Sequence, residues 1–299
     1  MPPFPSLTSK WHSQSYPSID SLRPELSAKG KVVAITGGGG GSIRAATALA
    51  FAKAGAHKIA ILGRRHAPLH DAKKMIEEAV PGTTIECIHV DRASADSVRG
   101  AFGNIKKDLG EIDILFCNAG YLSKFEKLEG ADEEGWWKGY EINVRGAFNC
   151  TRALRHTGAE KMVLVDVSTC VAHMPAMVGG SAYVSSKLAA TKVYETFGVE
   201  HPEVEVVHVH PGVVASEINA KSGITAQDGA DLPASFIVWA CSPEASFLRG
   251  GGKFLWCNWD VDELKSRKEE LSKPDQLTIT MNGWPFGTSA DGSKDALKS

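Results

Sequence analysis

No apolar run in the sequence approaches the roughly 18 residues of a membrane-spanning helix, so no membrane partner is expected. There is no surplus of either charge: 33 Lys and Arg stand against 35 Asp and Glu, for a formal charge of −2. That balance excludes the basic excess usual in nucleic-acid binders. The opening MPPFPSLTSKWHSQSYPS has prolines and serines but no uninterrupted apolar segment, so it does not read as a secretory signal. Cysteine is sparse. Cys87, Cys117, Cys150, Cys170, Cys241 and Cys257 form no CxxC pair, and no histidine cluster has zinc-ligand spacing. A disulfide framework and a zinc module are thereby excluded, no metal is expected, and buried thiols in a reducing cytoplasm fit best. His208 and His210 alternate on one strand face, but no third ligand accompanies them. No internal repeat is visible, and the only low-complexity tract is five glycines at 37–41.

What is present suits one large α/β domain: 299 residues, 43% of them hydrophobic, enough for a core without staples. Residues 1–30 read as an arm, with five prolines and the aromatics Phe4, Trp11 and Tyr16 but no periodicity. Residues 31–281 alternate short apolar runs with helical patterns. Strands are expected at 32–36, 58–62, 84–90, 113–117, 162–167, 204–210 and 253–256. Helices are expected at 45–54, 71–80, 94–109, 133–156 and 183–200. Strands that are apolar throughout, rather than alternating, belong to a parallel sheet covered on both faces. Seven such units predict a single-domain Rossmann-type, doubly wound parallel sheet with helices on both faces. Residues 282–299 read as a polar tail, partly disordered.

Val32-Val33-Ala34-Ile35-Thr36 runs directly into the glycines, and Ser42-Ile43 leads into a helical pattern. Backbone amides at a helix start face an anion, and glycines let the chain approach a pyrophosphate, so the loop reads as a dinucleotide site. The second expected strand ends in Gly63-Arg64-Arg65. A carboxylate there would suit a ribose 2′-hydroxyl, whereas two guanidiniums suit a 2′-phosphate, which favours NADP(H) over NAD(H). Tyr183-Val184-Ser185-Ser186-Lys187 stacks a phenol and an ammonium on one helix face. A phenol titrates near 10, too high for a base at neutrality, and a nearby ammonium lowers that value.

Taken in order, these landmarks make the chain resemble a short-chain dehydrogenase/reductase from about residue 31 to 259. The matching residues are Thr36-Gly37 with its glycines, Asp91, Asn118-Ala119-Gly120, Asn143-Val144-x-Gly146, Ser168-Thr169, Tyr183-x-x-x-Lys187 and Pro211-Gly212-Val213-Val214-x-Ser216. The segments from Phe247 to Asp260 and from Asn282 to Phe286 resemble reductases of filamentous-fungal secondary metabolism. The resemblance implies that Tyr183 exchanges a proton with the substrate oxygen while Lys187 lowers its pKa and holds the nicotinamide ribose. It implies a water relay from Asn143 to Lys187 and a hydroxyl that orients the carbonyl. Asp91 would meet the adenine, Asn118, Ala119 and Gly120 would pass the adenosine ribose, and Val214 and Ser216 would fix the nicotinamide amide. Gly37, Gly41, Ser42 and Ile43 would surround the phosphates.

Two departures from the family pattern stand out. The third glycine of TGxxxGxG falls on Ile43, or on Arg44 when counted from the helix side. The family's second serine acts on the carbonyl, whereas this chain offers Ser168 and Thr169; the freer primary hydroxyl favours Ser168, and Cys170 is a poorer donor. His173-Met174-Pro175-Ala176-Met177 should border the substrate pocket, and 217–232 fits a mobile loop covering it. Trp136-Trp137 opens a helix that in the family packs on a second subunit, implying a homodimer or homotetramer. The expected activity is NADP(H)-dependent interconversion of a carbonyl and an alcohol on a small apolar or aromatic, natural-product-like compound. Two alternatives use the same scaffold: a non-redox dehydratase, isomerase or cyclase, and a nucleotide-binding module without catalysis.

Overall fold

The computed structural model describes residues 4–37 and 42–281, with the backbone alone at Ser42. Gly41, the Ser42 side chain and the 282–299 tail therefore lie outside the described residues. Seven strands form one sheet: β1 (Val32–Thr36), β2 (Lys58–Gly63), β3 (Thr84–His89), β4 (Ile112–Cys117), β5 (Gly158–Val167), β6 (Val204–His210) and β7 (Lys253–Trp256). Their order is β3-β2-β1-β4-β5-β6-β7, and every pairing is parallel. The order reverses between β1 and β4, which opens a crevice at the carboxyl ends of those strands, where open α/β sheets bind ligands.

Alternation along the strands explains the three layers. Val33 and Ile35 of β1 join one core with Phe51, Phe236 and Trp239, while Val32 and Ala34 join the other with Val98, Phe102 and Leu154. Both faces are thus apolar, as expected of crossovers that cover a parallel sheet twice. The helices are α1 (Ser42–Lys53), α2 (His66–Ala79), α3 (Ala95–Asp108), α4 (Glu133–Tyr140), α5 (Gly146–Thr157), α6 (Ser181–Glu200), α7 (Glu217–Ser222), α8 (Asp231–Cys241), α9 (Val261–Ser266) and α10 (Lys268–Leu271).

Three differences from the expected elements have physical causes. The helix expected over 133–156 is broken into α4 and α5 by a π turn at Glu141–Arg145. Asn143 sits in that turn and is clamped to another loop, as described below. Helix α2 begins at His66 rather than 71, because Pro68 is harmless in a first turn that needs no N–H donor. Helix α8 was not expected at all. Its sequence, DLPASFIVWAC, is apolar all round and has no amphipathic period, because nine consecutive residues from Leu232 to Ala240 are buried.

Residues 4–30 run along the body. Ile19 and Leu26 enter the core beside α8. Trp11 bridges Trp259 in antiparallel fashion, Arg23 pairs with Glu244 at 2.7 Å, and the Ser9 and Lys10 amides donate to Glu263 at 2.7 and 2.9 Å.

Candidate active site

The crevice at the carboxyl edge is a cavity of about 610 Å³. It begins at Ile43, Arg64 and Arg65 above β1 and β2, passes Asn118 and Gly120 after β4, and reaches Ser168, Thr169, Tyr183 and Lys187. Val214 and Ser216, after β6, close its far wall. The topology therefore brings most of the predicted site residues into one trough. Apolar side chains line much of the rest, among them Leu122, Phe125, Val171, Met177, Ile218 and Ile224.

Tyr183 lies in the first turn of α6 and Lys187 one turn later. Burial pushes the Tyr183 phenol up to about 12; hydrogen bonding from the Thr169 side chain opposes the rise, while Cys170 and Asp166 add to it. The lowering expected from Lys187 does not rank among these influences, since its Nζ donates to the Val167 carbonyl at 2.6 Å and lies 3.8 Å from Asp166. Burial also holds Lys187 below the ordinary lysine value, with Asp166 opposing.

The two hydroxyl candidates point differently. Ser168 is buried, and its Oγ lies 3.2 Å from Thr191 Oγ1 inside α6. Thr169 is the hydroxyl that acts on the Tyr183 phenol. Both residues line the cavity, with Ser168 also bonded toward α6, and the influence of Thr169 on the phenol favours Thr169 over the expected Ser168. Asn143 is held by side-chain bonds to Tyr121 and Ser186. Its Oδ1 accepts from the Tyr121 amide at 2.8 Å, and its Nδ2 donates to the Tyr121 carbonyl and to Ser186 Oγ, both at 3.0 Å. This clamp fixes the loop after β4 against α6 and explains a π turn at a site, where such turns are common.

Asp91 falls outside the main cavity. It lies in a shallow surface depression with Ala93, Ser94 and Arg145, and its carboxylate accepts from the Ala93 amide at 3.0 Å. Ala119 also stays out of the lining; its carbonyl accepts from the buried Arg92. Gly37 sits at the crossover of β1 and β4, where a Cβ would come within 2.8 Å of Asn118 Nδ2. The question of Ile43 or Arg44 resolves into two roles. Ile43 lines the cavity, whereas Arg44 is 2% exposed and donates to the Gly37 carbonyl at 2.9 Å and to that of Pro68 at 3.2 Å. A buried guanidinium thus packs α1 against the strand ends, the place where the family pattern has a glycine.

At the mouth, Arg65 Nη2 lies 2.6 Å from Glu217 Oε1, so an ion pair links the β2 end to α7. Ser216 caps α7, its Oγ accepting from the Asn219 amide at 3.1 Å. The loop expected over 217–232 accordingly contains α7 and the start of α8. Of the 173–177 segment, Met177 lines the cavity, while His173 accepts from Trp256 Nε1 at 3.0 Å.

Sequence reasoning missed Asp166 and weighed His210 only as a metal ligand. His210 lines the cavity and accepts from the Cys170 amide through Nδ1 at 3.3 Å, so Nε2 carries its proton; burial depresses it to about 3. An acid inside the apolar run Val163–Val167 was a signal for Asp166, since a buried carboxylate requires partners. Among the described residues, no group of three or more His, Cys, Asp or Glu side chains could hold a metal, and all six cysteines are free. No helix there is long and apolar enough to cross a membrane.

A parallel sheet of this strand order, with a crevice at its switch point and Tyr183 and Lys187 within it, is the Rossmann arrangement of dinucleotide-dependent enzymes. The short chain dehydrogenase family model matches residues 31–227. The chain belongs to the short-chain dehydrogenase/reductase family. It is 34% identical over 287 residues to short chain dehydrogenase mpl6 of Monascus purpureus, covering 91% of this chain and 95% of that one. It is 33% identical over 281 residues to the short chain dehydrogenase/reductase nsrO of Aspergillus novofumigatus, covering 89% and 93%. Among solved structures, a putative short chain dehydrogenase of Shigella flexneri complexed with NADP superposes with a TM-score of 0.71 at 19% identity, covering 79% of this chain and 99% of that one. At that identity the likeness shows the fold alone.

The family's nicotinamide dinucleotide fits the residues present. The glycine at 37 leaves a cradle that a Cβ would fill, cations stand at one end of the trough, and the Tyr–Lys pair stands at the other.

Proposed function

We propose that the protein is an NADP(H)-dependent reductase that converts a ketone or aldehyde of a small apolar or aromatic, natural-product-like compound into an alcohol. The observation that carries this reading is Tyr183, with Thr169 at its phenol, in the same apolar cavity as Arg64 and Arg65. Arg64 and Arg65 would hold a 2′-phosphate, Asn118 and Gly120 the adenosine ribose, Lys187 the nicotinamide ribose, and Val214 and Ser216 the amide. The bound nicotinamide supplies the hydride. Tyr183 donates its proton to the substrate oxygen as the carbonyl carbon is reduced, and Thr169 holds that oxygen by a hydrogen bond. A phenol held near 12 stays protonated at neutral pH, the form an acid catalyst needs, and this supports the reducing direction. Lys187, as an ammonium, stabilises the phenolate that remains.

Substrate oxygens have a second donor in reach. The His210 imidazole is neutral with its proton on Nε2, and the residue lines the same cavity. Six free cysteines support a cytoplasmic location. Trp137 and Phe148, 55% and 50% exposed on α4 and α5, support a homo-oligomer joined through those helices. The deciding experiment follows NADPH absorbance at 340 nm with a panel of aliphatic, aromatic and polycyclic ketones. Stoichiometric loss of NADPH with alcohol formation is expected, faster than with NADH. Product formed without net NADPH loss would replace this reading with a non-redox one.

A further inference from the structure

Of the two lysines lining the cavity, Lys187 is the buried one, its side chain 7% exposed. Burial and the like charge of Arg92 both favour the neutral amine, and Asp166 opposes them. Asp166 is 2% exposed in β5, and its Oδ1 lies 3.8 Å from Lys187 Nζ. Its other oxygen, Oδ2, lies 3.0 Å from His208 Nδ1. The register of β5 on β6 sets the two residues side by side. A carboxylate accepts, so the imidazole proton is on Nδ1 and Nε2 is bare. His208 is wholly buried, and Nε2 has no partner. A Cβ on Gly252 would lie 3.1 Å from that nitrogen and 2.5 Å from Glu195 Cγ, so glycine there leaves the space between them open.

We propose that Asp166 and His208 form a positioning dyad for Lys187, in which the carboxylate, oriented by the imidazole, keeps the ammonium charged and in place one helical turn from Tyr183. The groups around it act in known directions. Lys187 faces Asp166, Arg92 and Cys117; Asp166 faces Lys187, His208 and Arg92; His208 faces Asp166 and, across Gly252, Glu195. Without the carboxylate, burial and Arg92 shift Lys187 further toward the neutral amine, the form that cannot stabilise a phenolate. The inference deepens the reductase reading and rests on it only for the effect on turnover.

Competitive acetylation of the full-length chain with acetic anhydride across pH, read at Lys187 by mass spectrometry, tests the dyad without any turnover. Asp166→Asn should lower the Lys187 midpoint by about one to three pH units, the range for losing an opposite charge at this distance. His208→Leu, which removes the donor to Asp166, should lower it less. His208→Asn, whose amide can still donate to Asp166, should restore the wild-type midpoint. An unchanged midpoint in Asp166→Asn overturns the dyad. If that variant does not fold, the His208 pair decides: a drop with Leu rescued by Asn supports the dyad, and equal midpoints overturn it. With a carbonyl substrate, Asp166→Asn should also lower kcat about 10- to 100-fold at neutral pH. A wild-type enzyme that reduces no carbonyl would refute the reductase reading, while the labelling would still judge the dyad.

Discussion

The two ends of the cavity are built on opposite principles. At and behind the inner end, Ser168 and Lys187, with Asp166 and His208 beneath them, are buried, and each reaches a partner through a bond fixed by β5, β6 or α6. At the mouth, Arg65 and Glu217 are 50% and 60% exposed, and one ion pair ties the β2 end to a helix of six residues. Buried polar groups that lose a partner suffer the full desolvation penalty, whereas exposed pairs contribute about 0–1 kcal/mol. On the proposed function, the inner end serves the rate of chemistry and the mouth the choice and exchange of cofactor.

The most direct way to break that contrast is Tyr183→Phe. Turnover should fall about 10²- to 10⁴-fold, the usual contribution of a positioned acid, while NADPH titration of the variant shows little change in affinity. Comparable loss at both levels would mean that the inner end also binds the cofactor through this phenol. Next in size, Thr169→Val should lower kcat about 10- to 100-fold, because a hydrogen bond to developing charge is lost. Ser168→Ala should leave kcat near wild type and reduce stability by about 1 kcal/mol in urea melts, the worth of its bond to Thr191. The opposite ranking would return the catalytic hydroxyl to Ser168.

At the mouth, Arg65→Ala should raise KM for NADPH about tenfold with kcat retained, and should leave KM for NADH unmoved. Glu217→Ala sharpens the test. Freed from its pair, Arg65 should bind NADPH up to about fivefold more tightly, the ceiling for an exposed ion pair. The smallest effect expected is in the pH profile. A general acid must be protonated, and a phenol pushed up to about 12 stays so across the neutral and mildly alkaline range. Reduction rates should be level there, and alcohol oxidation, which needs the phenolate, should climb with pH. A reduction rate that falls through neutrality would show that Lys187 pulls the phenol down once cofactor is bound.

The strands were legible because parallel strands covered on both faces are written as unbroken apolar runs, as Val32–Thr36 and Val204–His210 show. Helix α8 was not, since burial on every side erases the period that marks a helix. The π turn was hidden for another reason. Nothing in the helix's own residues demands it; it follows from Asn143 reaching Tyr121, 22 residues away in sequence. The choice between Ser168 and Thr169 depended on which face each residue takes after β5. Leu164, on the core face covered by α6, and Asp166, near Lys187, share the parity of Ser168, so the period of two already pointed that residue inward. Arg65 was readable as a cation at the right strand end, but its partner on α7 was not, because the two are 152 residues apart.

The arm has a practical consequence for anyone producing the protein. The segment that matches the family model spans residues 31–227 and so omits the arm with Ile19, Leu26 and Trp11 as well as α8 and β7. A clone trimmed to it would present the sheet's apolar flank to water and to other molecules of its kind, and inclusion bodies would be the expected harvest. An affinity handle is best kept off residues Ser9 and Lys10, whose amides are moored to Glu263.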